Sequence, residues 1–171
     1  FLYLPYTIPH GKFEIPSDAP YTQKDWTQIQ KNRAAMITRM DGDIGRLLDV
    51  LKLNGLSENT IVFFTSDNGP DDPSLALFRA AGPFRGYKRD LYEGGIRVPL
   101  IVRWPGKIKA GDVNDQAWAM WDFLPTAAEI AGAKTPENLD GISMVDALRG
   151  KSPKGHDYLY WEYRKSGGMI Q

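Results

Sequence analysis

Thr60-Ile61-Val62-Phe63-Phe64-Thr65, running straight into Ser66-Asp67-Asn68-Gly69, sets the reading of this 171-residue chain. The first six residues form a continuous apolar run of strand length, and strands covered on both faces have that pattern. The expectation is a parallel sheet with helices on each side. Ligands in open α/β sheets bind outside the carboxyl ends of the strands, which is where Asp67 and Asn68 fall. A carboxylate and an amide oxygen suit a hard cation such as Ca²⁺ or Mg²⁺. The same Asp-Asn-Gly is also ordinary turn chemistry, and on the tetrapeptide alone both readings stand.

Upstream, Trp26 to Asn54 carries the strongest helix signal. Met36, Ile37, Met40, Ile44, Leu47, Leu48 and Leu51 recur at steps of three and four, predicting one apolar face. Thr22 with Asp25 resembles a capping box, and Gly55 supplies a stop. Before it, Phe1 to Tyr6 reads as a short buried strand, followed by a turn at Thr7-Ile8-Pro9-His10. The chain begins inside this apolar run without Met or a basic leader, so it reads as cut from something longer, a processed N-terminus being the alternative.

Downstream, Val98 to Val102 is a second strand candidate, with Pro99 tolerable near its start. A helix is expected from Asp122 as N-cap to Gly132, a short one from Ser143 to Leu148, and a late strand from Tyr158 to Tyr163. Lys165 to Gln171 stop without a natural end signal. Alternating strand and helix signals predict an α/β layered fold. Residues 1–135 are expected to be a portion of one α/β domain, and 136–171 the start of a smaller subdomain.

Composition excludes several classes. Twenty-one basic residues balance 21 acidic ones, so no global field recruits nucleic acid. No cysteine is present, which removes disulfides, thiolate metal sites and a cysteine nucleophile. No apolar run approaches the roughly 20 residues of a membrane span. Trp104, Trp118, Trp121 and Trp161 can stack on a sugar or an aryl group, although core packing is the commoner role.

A second chemical segment is Gly82-Pro83-Phe84-Arg85-Gly86-Tyr87-Lys88, followed by Leu91-Tyr92-Glu93-Gly94-Gly95-Ile96-Arg97-Val98-Pro99. Cations among glycines present charge to an anion, and Lys88 suits a sulfate or phosphate oxygen. A solvated loop reads the same, with Arg85 and Arg97 in structural ion pairs. His10, at a strand end, can bond an anion or protonate a leaving oxygen, or be a plain loop residue. His156 reads as a surface loop residue.

The ordered set Phe1-Leu2-Tyr3-Leu4 to His10, Ile61–Gly69, Gly86-Tyr87-Lys88 and Leu91–Pro99 resembles the type I sulfatase family. Asp122-Phe123-Leu124-Pro125-Thr126, Ala131-Gly132-Ala133 and Leu139-Asp140-Gly141 resemble its later segments. The resemblance implies an alkaline-phosphatase-like layered α/β sheet with flanking helices, here incomplete, plus the start of a small C-terminal sheet region. It implies that Asp67 and Asn68 bind the divalent cation, commonly calcium. Lys88 would hold a sulfate oxygen, and His10 the sulfate or leaving oxygen, although Gly11-Lys12 follows where the family often has His-x-Pro. Substrates would be sulfated small molecules or sulfated glycans, and the location extracytoplasmic: periplasmic, secreted or lysosomal.

The family's formylglycine nucleophile comes from a Cys/Ser-x-Pro-x-Arg motif, and neither residue occurs here at those offsets. It is expected upstream, with further metal carboxylates, so the chain alone is expected to be inactive. Missing strands would expose apolar surface and favour self-association. The rivals are a phosphoesterase or phosphonate hydrolase of the same superfamily, and a non-catalytic anion- or carbohydrate-binding relative.

Overall fold

The computed structural model describes residues 1–71 and 77–163. Helix α1 spans Gln28–Leu53, and its apolar stripe is what the spacing of Met36 to Leu51 predicts. Its cap lies five residues later than expected. Thr27 Oγ1 accepts from Gln30 N–H while Gln30 Oε1 accepts from Thr27 N–H, a full capping box. Thr22 instead donates to Asp18, which also accepts from Gln28. Those two bonds hold the Asp18 carboxyl below its ordinary value. At the other end Leu56 N–H reaches Leu51 O and Gly55 N–H reaches Lys52 O, with Gly55 at φ 66°. That is a Schellman stop, and it requires the left-handed residue that glycine supplies.

Strand β1 (Val62–Thr65) pairs with β2 (Leu100–Arg103). The pairing is antiparallel, Val62 opposite Arg103 and Thr65 opposite Leu100, where a parallel sheet was expected. The reason lies in the connection. A parallel partner needs a crossover that carries the chain back along the strand, commonly a helix. The only helix between them among the described residues is α2 (Glu93–Ile96), about 6 Å long. The chain therefore re-enters the sheet at the end where β1 stops, and Thr65 Oγ1 donates to Pro99 O there.

Helix α3 (Phe123–Ala131) follows a 3-10 turn at Met120–Asp122 and ends on Gly132 at φ 65°. Phe123, the first residue of α3, packs edge-on against Phe63 of β1 at 5.3 Å, which joins the start of the helix to the small sheet. Helix α4 (Val145–Leu148) completes the order. The buried residues fall into three groups: Arg33 to Met36 of α1, the glycines Gly69, Gly94 and Gly95, and Ala119, Asp122, Pro125, Thr126, Met144, Val145 and Ala147 around α3 and α4.

Phe1 to Tyr6 is not a strand, and its side chains are exposed. A strand exists only through a hydrogen-bonded neighbour, and none among the described residues pairs with this segment. Tyr158 to Tyr163 likewise runs without ladder partners. Lys165 to Gln171 lie outside the described residues.

Candidate functional site

The loop after β1 is fixed by backbone rather than by side chains. Gly69 N–H donates to Gly95 O at 2.9 Å, and Lys88 N–H donates to Pro70 O at 2.8 Å. Gly94 N–H donates to Arg85 O at 2.7 Å. Three segments far apart in sequence thus cross within hydrogen-bond distance. Only glycine permits the crossing: a Cβ at Gly69 would strike the Gly94 carbonyl, and one at Gly94 would strike the carbonyls of Gly86 and Arg85. A Cβ at Gly95 would meet those of Asp90 and Tyr87. Glycines that read as loop punctuation are the contact surface of a knot.

The chemically interesting side chains are left over. Asp67 is exposed, and among the described residues its carboxylate accepts only a long bond from Ser66 Oγ, 3.4 Å. Asn68 is half-buried and its Nδ2 donates to Gly69 O at 2.9 Å, which leaves Oδ1 without a donor among the described residues. The half-buried Lys88 has no carboxylate within ion-pair distance of its ammonium among those residues. Two arginines of the same stretch, Arg85 and Arg97, are committed. Arg85 lies over the Tyr92 ring at 3.9 Å, and Arg97 lies over Phe84 and pairs with Glu93 at 3.1 Å. Of the four cations between Gly82 and Pro99, Lys88 and the exposed Arg89 have no ion pair among the described residues, and Lys88 is the one whose own amide joins the crossing.

His10 is exposed. Its loop reaches this region by a route that the sequence did not suggest. A Cβ on Gly11 would sit 3.9 Å from Asp71 Oδ2. Arg33, only 7% exposed, pairs with Asp71 Oδ1 at 3.3 Å and lies over the Phe13 ring. The adjacent Asn32 donates to Phe13 O. A buried guanidinium needs an anion, and Asp71 follows the Ser66–Pro70 loop directly, so Arg33 ties His10's loop to that loop through α1. No hydrogen bond joins His10, Asp67, Asn68 and Lys88 side chains to one another among the described residues. Nothing local in the sequence marks Arg33: it sits on a helix among other polar residues.

For a divalent cation, Asp67 and the free Asn68 Oδ1 offer two adjacent oxygen donors of the right hardness. Among the described residues no group of three His, Asp or Glu side chains gathers at any point. The donor set fits one side of a coordination shell.

A sulfatase family model matches residues 1–133. This chain belongs to the sulfatase family. It is 37% identical over 166 residues to an uncharacterized sulfatase, YdeN, of Escherichia coli K12, covering 94% of this chain and 29% of that protein. Among solved structures, Ps i-CgsB in complex with a neocarrahexaose superposes with a TM-score of 0.74 at 31% identity, covering 84% of this chain and 32% of that one. A protein solved with its substrate D-glucosamine-2-N,6-O-disulfate gives 0.67 at 29% identity, covering 81% and 27%. A phosphonate monoester hydrolase of Silicibacter pomeroyi gives 0.60 at 26% identity, covering 77% and 24%. The fold is therefore alkaline-phosphatase-like α/β, represented here by a small open sheet and its helices. The chain spans about three-tenths of the length of the curated relatives it matches.

His156 departs from expectation. It is not a surface residue: its side chain is 12% exposed and Nε2 lies 2.7 Å from Asp122 Oδ1. Asp122, expected as an N-cap, makes no capping bond to α3 and is fully buried. Its carboxylate accepts from Ala119 N–H at 2.8 Å, Ile142 N–H at 2.9 Å and His156. Thr126, also fully buried, donates to Asp122 O and accepts from Met144 N–H. Side chains here do what glycines do in the Asp67 loop: they join segments distant in sequence.

Proposed function

We propose that this chain forms the cation-and-lysine side of a sulfate monoester hydrolase site. The observation that carries the reading is the glycine knot. It brings the Asp67-Asn68 loop and the Lys88 loop together, while among the described residues the Asp67 carboxylate keeps one long contact and the Lys88 ammonium has no ion pair. A folded protein normally pairs or hydrates such groups without holding them in a rigid backbone frame, so the frame points to a ligand. Asp67 and Asn68 would hold Ca²⁺ or Mg²⁺, which when bound stabilises negative charge on the ester oxygens. Lys88 binds a sulfate oxygen as a point charge, and His10 contacts the anion or donates a proton to the leaving oxygen.

The attacking group does not come from these 171 residues, since no Cys and no Ser-x-Pro-x-Arg occurs in them. Alone, the chain binds but does not hydrolyse. Sulfated glycans are the preferred substrate class, in line with the disulfated sugar named for one structural relative. We place the parent protein outside the cytoplasm. No helix among the described residues is long and apolar enough to cross a membrane. Exposed Phe1, Leu2, Tyr3 and Ile101 support self-association of the isolated chain. The likeness to a phosphonate monoester hydrolase favours a second reading, in which the same half-site receives a phosphonate.

Calorimetric titration with Ca²⁺ tests the half-site. Two of the six to eight oxygens that calcium takes predict a Kd of about 1 mM or weaker, lost in Asp67→Ala. Micromolar binding removed by Asp67→Ala would mean that other ligands within the chain complete the site. In a polypeptide joining this chain to the nucleophile segment, Asp67→Ala and Lys88→Ala each lower kcat/KM on an aryl sulfate about 100-fold. Unchanged activity in both overturns the proposal, and a faster reaction with an aryl phosphonate selects the second reading.

A further inference from the structure

The buried Asp122 does more than join segments. Beside it lies a cavity of about 670 Å³ whose walls include Trp121, Asp140, His156, Asp157, Tyr158 and Tyr160. That volume is in the range of small-molecule sites. Its walls are held from behind. Gly141 lets the Leu139–Asp140 turn press onto the Trp121 carbonyl, where a Cβ would clash, and Asp122 grips the next amide, Ile142. His156 is held by the same carboxylate, with Gly155 packed so closely on the Gln116 side chain that a Cβ would overlap it. One wall is thus rigid.

Its chemistry is specific. Trp121 stands against Trp161 with ring centroids 5.6 Å apart, while Tyr158 and Tyr160 are 81% and 67% exposed. Flat rings facing solvent beside hydrogen-bonding groups suit a ligand with an apolar face and a hydroxyl edge. A carboxylate accepts, so His156 Nε2 donates to Asp122, and Nδ1 has no partner among the described residues. Asp140 adds acceptors, and Asp157 pairs with Lys154 at 3.2 Å outside the lining. The Tyr160 hydroxyl donates to Glu162, which holds the phenol above its ordinary value and keeps it protonated. Among the described residues no lysine or arginine lines the cavity, and the Asp140 carboxylate disfavours an anion there.

We propose that this cavity binds a neutral, unsulfated pyranose ring of an oligosaccharide, stacked on Tyr158, Tyr160 and Trp121 with hydroxyls on Asp140 and His156. The site takes the uncharged part of the substrate while Lys88 takes the sulfate. This assignment rests on reading the substrate as a glycan.

The test is an NMR titration of the full chain with a neocarrahexaose and its desulfated form, following the indole N–H signals of Trp121 and Trp161. The desulfated sugar is expected to shift both indoles. Tyr158→Ala with Tyr160→Ala weakens this binding about tenfold, the effect of losing stacking faces. Asp140→Asn, which keeps size and removes charge, weakens it less, and Lys88→Ala leaves it unchanged. Both tyrosines are exposed, so their loss does not empty a core. Indole shifts that are absent, or that survive the double tyrosine substitution, overturn the proposal. Binding of the sulfated form alone, lost in Lys88→Ala and kept in the tyrosine variant, also overturns it while leaving the sulfatase half-site intact.

Discussion

The Asp67 loop and the Asp122 hub solve one problem, holding distant segments together, with opposite materials. Around Asp67 the joints are backbone to backbone, made possible by Gly69, Gly94 and Gly95, and among the described residues the Asp67 carboxylate, Asn68 Oδ1 and the Lys88 ammonium are left without a close partner. Around Asp122 the joints are polar side chains, Asp122 and Thr126 are fully buried, and among the described residues one nitrogen of His156 lacks a partner. A polar atom already used to brace the fold is not available to a ligand. The first arrangement frees Asp67 and Lys88 for chemistry, whereas the second uses up its carboxylate in structure.

The sharpest way to break the contrast is Asp122→Ala. It strands the amides of Ala119 and Ile142 and the ring of His156, and is expected to cost about 4 kcal/mol in urea unfolding. Gly94→Ala comes next. Its methyl meets the Gly86 and Arg85 carbonyls, so a loss of about 3 kcal/mol is expected in the same experiment. Asp67→Ala and Lys88→Ala lie at the small end. Each should leave stability within about 0.5 kcal/mol of the parent chain, because neither side chain has a strong partner among the described residues. A loss for Asp67→Ala as large as that for Asp122→Ala would make the loop a structural element and remove the case for a ligand there.

Local signals carried much of the fold. The helix from Gln28 to Leu53, its glycine stop, the two strands and the Gly132 end of α3 follow from periodicity and turn chemistry, which act over a few residues. The misplaced cap shows the limit of such signals. Thr22-Asp25 and Thr27-Gln30 both fit the pattern, and Gln30 at the third position makes the better reciprocal bond. Asp67, Asn68 and Lys88 were legible as candidates because they sit on loops after apolar runs. Their shared frame was not legible, since it depends on amide-to-carbonyl crossings that any sequence can make if its glycines fall correctly.

By itself the sequence determined the family and most of the element types, and it named the candidates for chemistry, since each is written in short-range pattern and residue kind. Tertiary structure alone decided the antiparallel pairing of β1 with β2, the Arg33–Asp71 tie and the burial of His156 on Asp122 across 34 residues. The physical reason is the same in each case. Pairing and burial are properties of what lies next to a group in space, and a polar side chain carries no local mark of whether water or a buried partner will satisfy it.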